Sequence, residues 1–345
     1  MKVLYSFAGS RSDKFSGEPS VDFPDTQFYG FYRLVEHNID AHIYDTPSWM
    51  RAIFGFRVRH VLVALVARRY DVVFGSALLY SLAIKRILRI RAHFVLLNIS
   101  LTRTLTAHSS HPLRRAVVKW LLRGADVIVC LSRAQEDSLV TRMPELSGRV
   151  RTVLLGVDTL YHLPVYTGRK EYILSAGRDN GRDYVAVIDV ARNMPERTFQ
   201  IVCSERNLKG IERIPSNVEV FIDLPPAQLY KKYAEAQALL LLTQTGSRVD
   251  GADCSGQTVL LEAMASGLPV VVTDHPYLND YASDGQEVII TKTNSLDDVI
   301  EKLHILDKED ARNMLAKAAR KRVEQNCSSE KMAKSLIDIF ERVSL

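Results

Sequence analysis

Cysteine is scarce and scattered in this chain: Cys130, Cys203, Cys254 and Cys327 are the only four in 345 residues, and no two are close in sequence. That spacing excludes a disulfide framework and a cysteine zinc site, and it fits a reducing cytoplasm. Long apolar runs are missing too. None approaches the roughly 20 residues that span a bilayer, so no membrane-crossing helix is expected. Met1–Ala8 is short and runs straight into polar residues, which reads as a first strand rather than a signal peptide. There is no low-complexity tract and no internal repeat. Acid is absent from one long stretch: residues 51–123 hold 14 basic residues and a single acid, Asp71.

With 47% hydrophobic and 25% charged residues, the composition is that of a soluble globular protein, and the length favours two domains over one. The net charge of +5 hides an asymmetry. Residues 1–160 carry 22 Lys/Arg against 13 Asp/Glu, and the remainder is acidic. An imbalance of that size suits an anionic partner: membrane lipid, an anionic acceptor or nucleic acid. The stretch 51–123 contains no recognisable nucleic-acid-reading module, which disfavours the last.

Strands alternate with helices along the whole chain, the pattern of doubly wound α/β sheets. The first half reads as strands over 3–8, 41–44, 71–74, 93–98, 127–131 and 150–155. Helices are expected over 26–37, from Trp49 on to Arg69, and over 77–88 and 112–123. A looser stretch with Pro164 and Gly168 reads as a linker, and the pattern restarts with strands over 172–177, 198–203, 218–222, 238–242, 269–273 and 287–291. Helices over 226–236, 296–305, 309–325 and 329–343 complete the second half. The expected domains are 1–165 and 166–328, with the last helix, 329–345, able to pack back on the first.

The second half is organised around residues 253–274. Ser255-Gly256 is a polar turn feeding a helix-forming run, Gly267 stops that helix, and Pro269 precedes a buried strand. The first amides of such a helix are unpaired and lie at the positive end of its dipole, a place that suits a phosphate. Glu262 falls one turn in, on the face of Thr258. A carboxylate there is apt for accepting from sugar hydroxyls, and the arrangement reads as a nucleotide-sugar site. The plain alternative is an ordinary strand–loop–helix–strand unit with Glu262 a half-exposed surface acid.

Gly156-Val157-Asp158, Ser175-Ala176-Gly177-Arg178, the run Leu260-Leu261-Glu262-Ala263-Met264-Ala265-Ser266-Gly267-Leu268-Pro269-Val270-Val271, and Asp284-Gly285 follow in that order. Together they resemble the C-terminal half of GT-B glycosyltransferases, above all the large retaining family numbered four (glycosyl transferases group 1). The resemblance covers residues 125–345; residues 1–124 match only in their α/β pattern. It implies two Rossmann-like domains facing a cleft, the first binding the acceptor and the second a nucleotide sugar.

By that resemblance Glu262 holds the donor ribose. Arg178 and Arg182 face the diphosphate, Arg182 standing where the family has lysine. Ser255, Gly256, Gln257 and Thr258 contact phosphates and sugar, with Asp223 and Leu224 counted as donor-binding beside them. The family's first glutamate would fall at Cys254. Asp253 is read as its shortened replacement, with Gln257 as a one-residue insertion. Gly9-Ser10 is the counterpart of the family's Gly-Gly loop. His108 is the candidate acceptor-side histidine, ahead of His111.

No Asp-X-Asp occurs in the chain, so no metal and no other cofactor is expected. The leaving diphosphate would be met by Arg178, Arg182 and the helix start. The resemblance implies retention by same-face attack, with no side-chain nucleophile. A UDP- or GDP-sugar donor and a lipid-linked or glycan acceptor are the expected substrates. The basic helices, with Arg57, Arg59, Lys85, Arg86, Arg89, Arg114, Arg115 and Lys119, are expected to meet the acceptor or an anionic membrane surface from the cytoplasmic side. A GT-B nucleotide-sugar epimerase and a non-catalytic basic binding protein are the alternative readings.

Overall fold

A computed structural model of the chain describes residues 1–12, 23–55, 57–101, 104–105, 111–166, 168, 171–244, 253–292 and 294–345. They form two compact units. One is Met1–Pro19 with Gln27–Leu154 and Glu330–Leu345; the other is Ser20–Thr26 with Leu155–Ser329.

In the first unit β1 (Lys2–Ser6), β2 (Asp40–Ile43), β3 (Val72–Gly75), β4 (His93–Asn98), β5 (Val127–Cys130) and β6 (Val150–Thr152) make one parallel sheet in the order β2-β1-β3-β4-β5-β6. Its central strands are runs of Val, Leu, Ile and Phe buried on both faces, as parallel strands covered by helices require. The strand order reverses between β1 and β3, which opens a crevice at their carboxyl ends. The helices are α1 (Phe31–Glu36), α2 (Ser48–Phe54), α3 (Val58–Val66), α4 (Leu79–Ile87), α5 (Pro112–Leu122) and α6 (Arg133–Arg142). Of these, α2, α3, α4 and α5 pack side by side in that order.

Two expected helices differ here. The helix over 26–37 is broken, because Tyr29 and Gly30 both take positive φ (55° and 76°), and only α1 follows. A Cβ on Gly30 would come within 3.0 Å of Ala333, so tertiary packing holds this kink open. The helix from Trp49 to Arg69 is likewise two, divided at Gly55, with a 3-10 turn over Ala67–Arg69.

The second unit repeats the plan with β7 (Tyr172–Ala176), β8 (Thr198–Cys203), β9 (Val218–Ile222), β10 (Ala238–Leu241), β11 (Val270–Thr273) and β12 (Ile289–Thr291), ordered β12-β11-β10-β7-β8-β9. Its helices are α7 (Tyr184–Asn193), α8 (Pro226–Glu235), α9 (Gln257–Ala265), α10 (Leu278–Tyr281), α11 (Leu296–Ile305) and α12 (Glu309–Asn326). The final helix, α13 (Ser329–Ser344), packs in the first unit, where Phe340 is fully buried 5.7 Å from the Phe74 ring.

The chain passes into the second unit after Leu154, eleven residues ahead of the boundary expected after residue 165. Hydrogen bonds explain the shift. Leu155 N donates to Tyr281 Oη (2.7 Å), Val157 bridges Ser328, and Asp158 N donates to Thr26 Oγ1 (2.8 Å). Arg320 then binds the carbonyls of Thr159 (3.0 Å), Ala265 (2.7 Å) and His162.

Candidate active site

The sheet of the second unit reverses its strand order between β7 and β10, and the loops leaving those two strands build the site. After β7 the chain turns at Gly177, and a Cβ there would lie 2.2 Å from Arg182 Nε, so only glycine leaves room for the guanidinium. Arg182 is fixed along its backbone: it bridges Thr243 after β10, and Gln244 N donates to Gly181 O (2.8 Å). The side chain is 6% exposed, yet Nε and Nη1 find no hydrogen-bond partner among the described residues. Burying a cation with unspent donors is expensive, and an anionic ligand is the chemistry that relieves it.

The turn before α9 closes over this arginine. Gly256 sits at φ 92° as the helix cap, no side chain caps the first turn, and its missing Cβ would stand 3.1 Å from both Arg182 Nη1 and Tyr277 Oη. Ser255 clamps the turn from two sides. Its Oγ donates to Asp179 Oδ1 (2.7 Å), and its carbonyl accepts from Tyr277 Oη (3.0 Å). A buried guanidinium and an uncapped helix start thus lie together at a switch point. Asp253 lies half-buried in the same turn. Burial, then the charges of Asp253 and Asp179, push the neighbouring Cys254 thiol up to about 12.

Glu262 is 8% exposed, which rejects the reading of it as a surface acid, whereas Thr258 one turn earlier is exposed. Tyr233 Oη donates to Glu262 Oε2 (3.1 Å), and His162 Nε2 stands 4.0 Å from Oε1. Burial lifts the carboxyl to about 7, against the Tyr233 hydrogen bond and the Arg182 charge, which lower it. Burial and then Arg320 push His162 down to about 3, so its imidazole is neutral.

Arg178 is placed differently from Arg182. Its side chain is 55% exposed; Nε pairs with Asp223 Oδ1 (3.0 Å) and Nη2 donates to Leu224 O (3.0 Å). Arg178, Asp223 and Leu224 are therefore brought together, with Nε and Nη2 of Arg178 engaged by the other two. Gln257 is buried at the start of α9. Gly9 and Ser10 belong to the first unit, where Ser10 Oγ donates to Asp45 Oδ2 (2.9 Å). His108 lies outside the described residues, and His111 is exposed at the start of α5.

Of the basic set, Arg57, Arg86, Arg89, Arg114 and Arg115 are exposed, and Lys119 is half-buried near Glu145. Two expectations need correction as surface contacts. Arg59 is 2% exposed, with its guanidinium bonded to Ala77 O, Ser76 O and Ser6 Oγ. Lys85 is drawn in by Asp126 and stands 5.4 Å over the Phe94 ring. Sequence reasoning missed Asp179, Tyr233, His162 and Tyr277. Each reaches the site from a different loop or helix, and no local spacing marks them.

Residues 182–338 match the sequence model of the family described as "Glycosyl transferase-like". Sulfoquinovosyl transferase of Arabidopsis thaliana is 25% identical over 229 residues; the match covers 61% of this chain but only 43% of that relative. Among solved structures, a sucrose-phosphate synthase from Thermosynechococcus elongatus superposes over 99% of both chains, with a TM-score of 0.73 at 14% identity. Anabaena HepE, solved with UDP-glucose, superposes over 99% of this chain and 100% of its own, with a TM-score of 0.72 at 12% identity. The chain thus has the GT-B fold of glycosyltransferases, and its residues 182–338 are glycosyl transferase-like in sequence.

Proposed function

We propose that this protein is a retaining glycosyltransferase that moves a hexosyl unit from a UDP- or GDP-sugar to a lipid-linked or glycan acceptor. The observation that carries this reading is the Arg182 guanidinium, buried against Gly177 and Gly256 at the start of α9 with two nitrogens that have no partner among the described residues. A nucleoside diphosphate supplies the anion that this pocket lacks. Charge developing on the departing diphosphate is met by Arg182 and the amides opening α9, a preorganised arrangement that needs no metal. Glu262, steadied by Tyr233, accepts from the ribose hydroxyls. The UDP-glucose bound by HepE supports a uridine nucleotide.

Calorimetric titration of UDP and GDP against wild type and Arg182→Gln tests the reading. Binding that weakens at least about tenfold in the variant is expected; equal binding removes the assignment. Transfer that persists in EDTA, with the donor's anomeric configuration kept in the product, is the expected chemistry.

Docking on an anionic membrane surface belongs to the same proposal. Among the described residues no helix is long and apolar enough to cross a membrane. Trp49, Ile53 and Phe54 on α2, and Leu113, Val117 and Trp120 on α5, are nonetheless exposed, with Arg57, Arg114 and Arg115 in the same two regions. Apolar side chains flanked by guanidinium groups suit the headgroup layer. Arg114→Glu with Arg115→Glu is expected to reduce co-sedimentation with phosphatidylglycerol vesicles, and unchanged sedimentation rejects this part.

A further inference from the structure

Three loops leave the carboxyl ends of β7, β8 and β10 in the second unit, and they meet on one residue, Asp179. The residue first folds back on its own loop. Gly181 N donates to Asp179 Oδ1 (2.8 Å), and Arg182 N donates to Asp179 O (3.2 Å). Together these bonds close a tight turn of the kind that an aspartate side chain favours, and the turn ends at Arg182. From the loop after β8, Asn207 Nδ2 donates to Asp179 O (3.0 Å). Asn207 is itself held, because its Oδ1 accepts from Ser204 N (3.1 Å) and Ser204 Oγ (2.6 Å). From the loop that leads into α9, Ser255 Oγ donates to Asp179 Oδ1 (2.7 Å).

One oxygen, Asp179 Oδ1, is therefore shared by two walls of the candidate anion pocket. The first wall is the turn that carries Arg182. The second is Ser255-Gly256, where a Cβ on Gly256 would stand 3.1 Å from Arg182 Nη1. Tyr277 Oη holds this second wall from its other side through Ser255 O (3.0 Å). Residues 179 and 255 are 76 apart in sequence, so neither turn sets the spacing of the walls by itself. A negative charge at residue 179 also opposes a bound anion. What the pocket takes from this side chain is an acceptor oxygen, and its charge is a cost.

We infer that Asp179 is a positioning residue for the donor diphosphate: its Oδ1 fixes the Arg182 turn against the start of α9, so that the guanidinium and the helix amides reach one anion together. The inference deepens the proposed donor reading and rests on it for the identity of the ligand. In this role Asp179 acts through Arg182 and Ser255 and not on the ligand itself. An anion that needs both walls binds more weakly once they are uncoupled, because binding must then order them.

The test is calorimetry on the intact chain with UDP and with inorganic pyrophosphate as probes. Asp179→Ala is expected to weaken both about tenfold, the loss of one charge-assisted hydrogen bond. Asp179→Asn keeps the acceptor oxygen without the charge and is expected to recover most of that loss. Ser255→Ala removes the donor and leaves the carboxylate; it is expected to weaken both probes too, with Ser255→Thr restoring them. Asp179→Ala combined with Ser255→Ala is expected to bind no more weakly than Asp179→Ala alone, since both break the same contact. Should Asp179→Ala fail to fold, the Ser255 pair and Asp179→Asn still decide the matter. Unchanged affinity in Asp179→Ala or Ser255→Ala, a loss in Asp179→Asn as large as in Asp179→Ala, or losses that add in the double variant overturn the proposal. If pyrophosphate binds wild type and UDP does not, the donor reading falls, and the pyrophosphate titrations still decide the role of Asp179. If neither binds, both readings fall.

Discussion

Each of the two parallel sheets buries an arginine at its switch point, and the two arginines are held in opposite ways. Arg59 spends its guanidinium on Ser6 Oγ and on the carbonyls of Ser76 and Ala77, tying β1 to β3. Arg182 is almost as deeply buried, but among the described residues its Nε and Nη1 have no partner beside two glycines. Equal burial therefore carries different meanings. The first arginine stabilises the fold and lends charge to its surroundings. The second leaves buried donors without a partner among the described residues, a cost that a bound anion would relieve.

The sharpest way to break this contrast is to remove each arginine in turn. Arg182→Gln is expected to cut transfer roughly a hundredfold, by analogy with the loss of one donor to a developing anion, with a thermal midpoint equal to or above that of wild type. Arg59→Ala is expected to lower stability by ~3 kcal/mol or more, since hydrogen bonds to charged groups contribute about 1.5–3 kcal/mol each. Chemical denaturation beside a transfer assay reads both. If the two variants lose stability alike, the contrast is wrong.

Glu262 sharpens the same point through pH. Its carboxyl is raised to about 7 chiefly by burial, while the proposed role of accepting from ribose hydroxyls is served best by the ionised form. Donor affinity should then fall by up to about tenfold per unit as pH drops below about 7; a flat profile between about pH 5 and 8 would contradict it.

Stability moves the other way. A carboxyl whose folded pKa lies above its unfolded value favours the fold fully at low pH and loses that contribution as pH rises through about 7. Glu262→Gln cannot ionise, so its thermal midpoint should gain on wild type from about pH 5 to about pH 8, while transfer is lost. The smallest effect belongs to Arg178–Asp223, a pair more than half exposed on both sides. Asp223→Asn should change stability by less than about 1 kcal/mol, and nucleotide titration would show whether freeing Arg178 improves binding.

Much of the second unit was legible in advance because its signals are local. Gly256, Gly267 and Pro269 punctuate one helix, and the six strands lie within two residues of their expected places. The depth of Glu262 was not legible: Tyr233 and His162 come from 29 and 100 residues away, and nothing near residue 262 announces them. The basic stretch of the first unit misled in part, since charge counts do not say which side chains turn inward. Lys85 and Arg59 did so because Asp126 and the ends of β1 and β3 supply partners only once the sheet has formed.

The sequence alone determined the two α/β halves, the turn-to-helix element at 256 and the chemical kinds gathered in the second half, because hydrophobic period and Gly/Pro punctuation act over a few residues. Tertiary structure alone decided which arginine is left unpaired, which is consumed by the fold, and where the chain passes from one unit to the other. Those outcomes depend on hydrogen-bond partners and close approaches supplied by strands and loops far apart in the chain, such as Tyr281 meeting Leu155 and Gly177 yielding its side-chain space to Arg182.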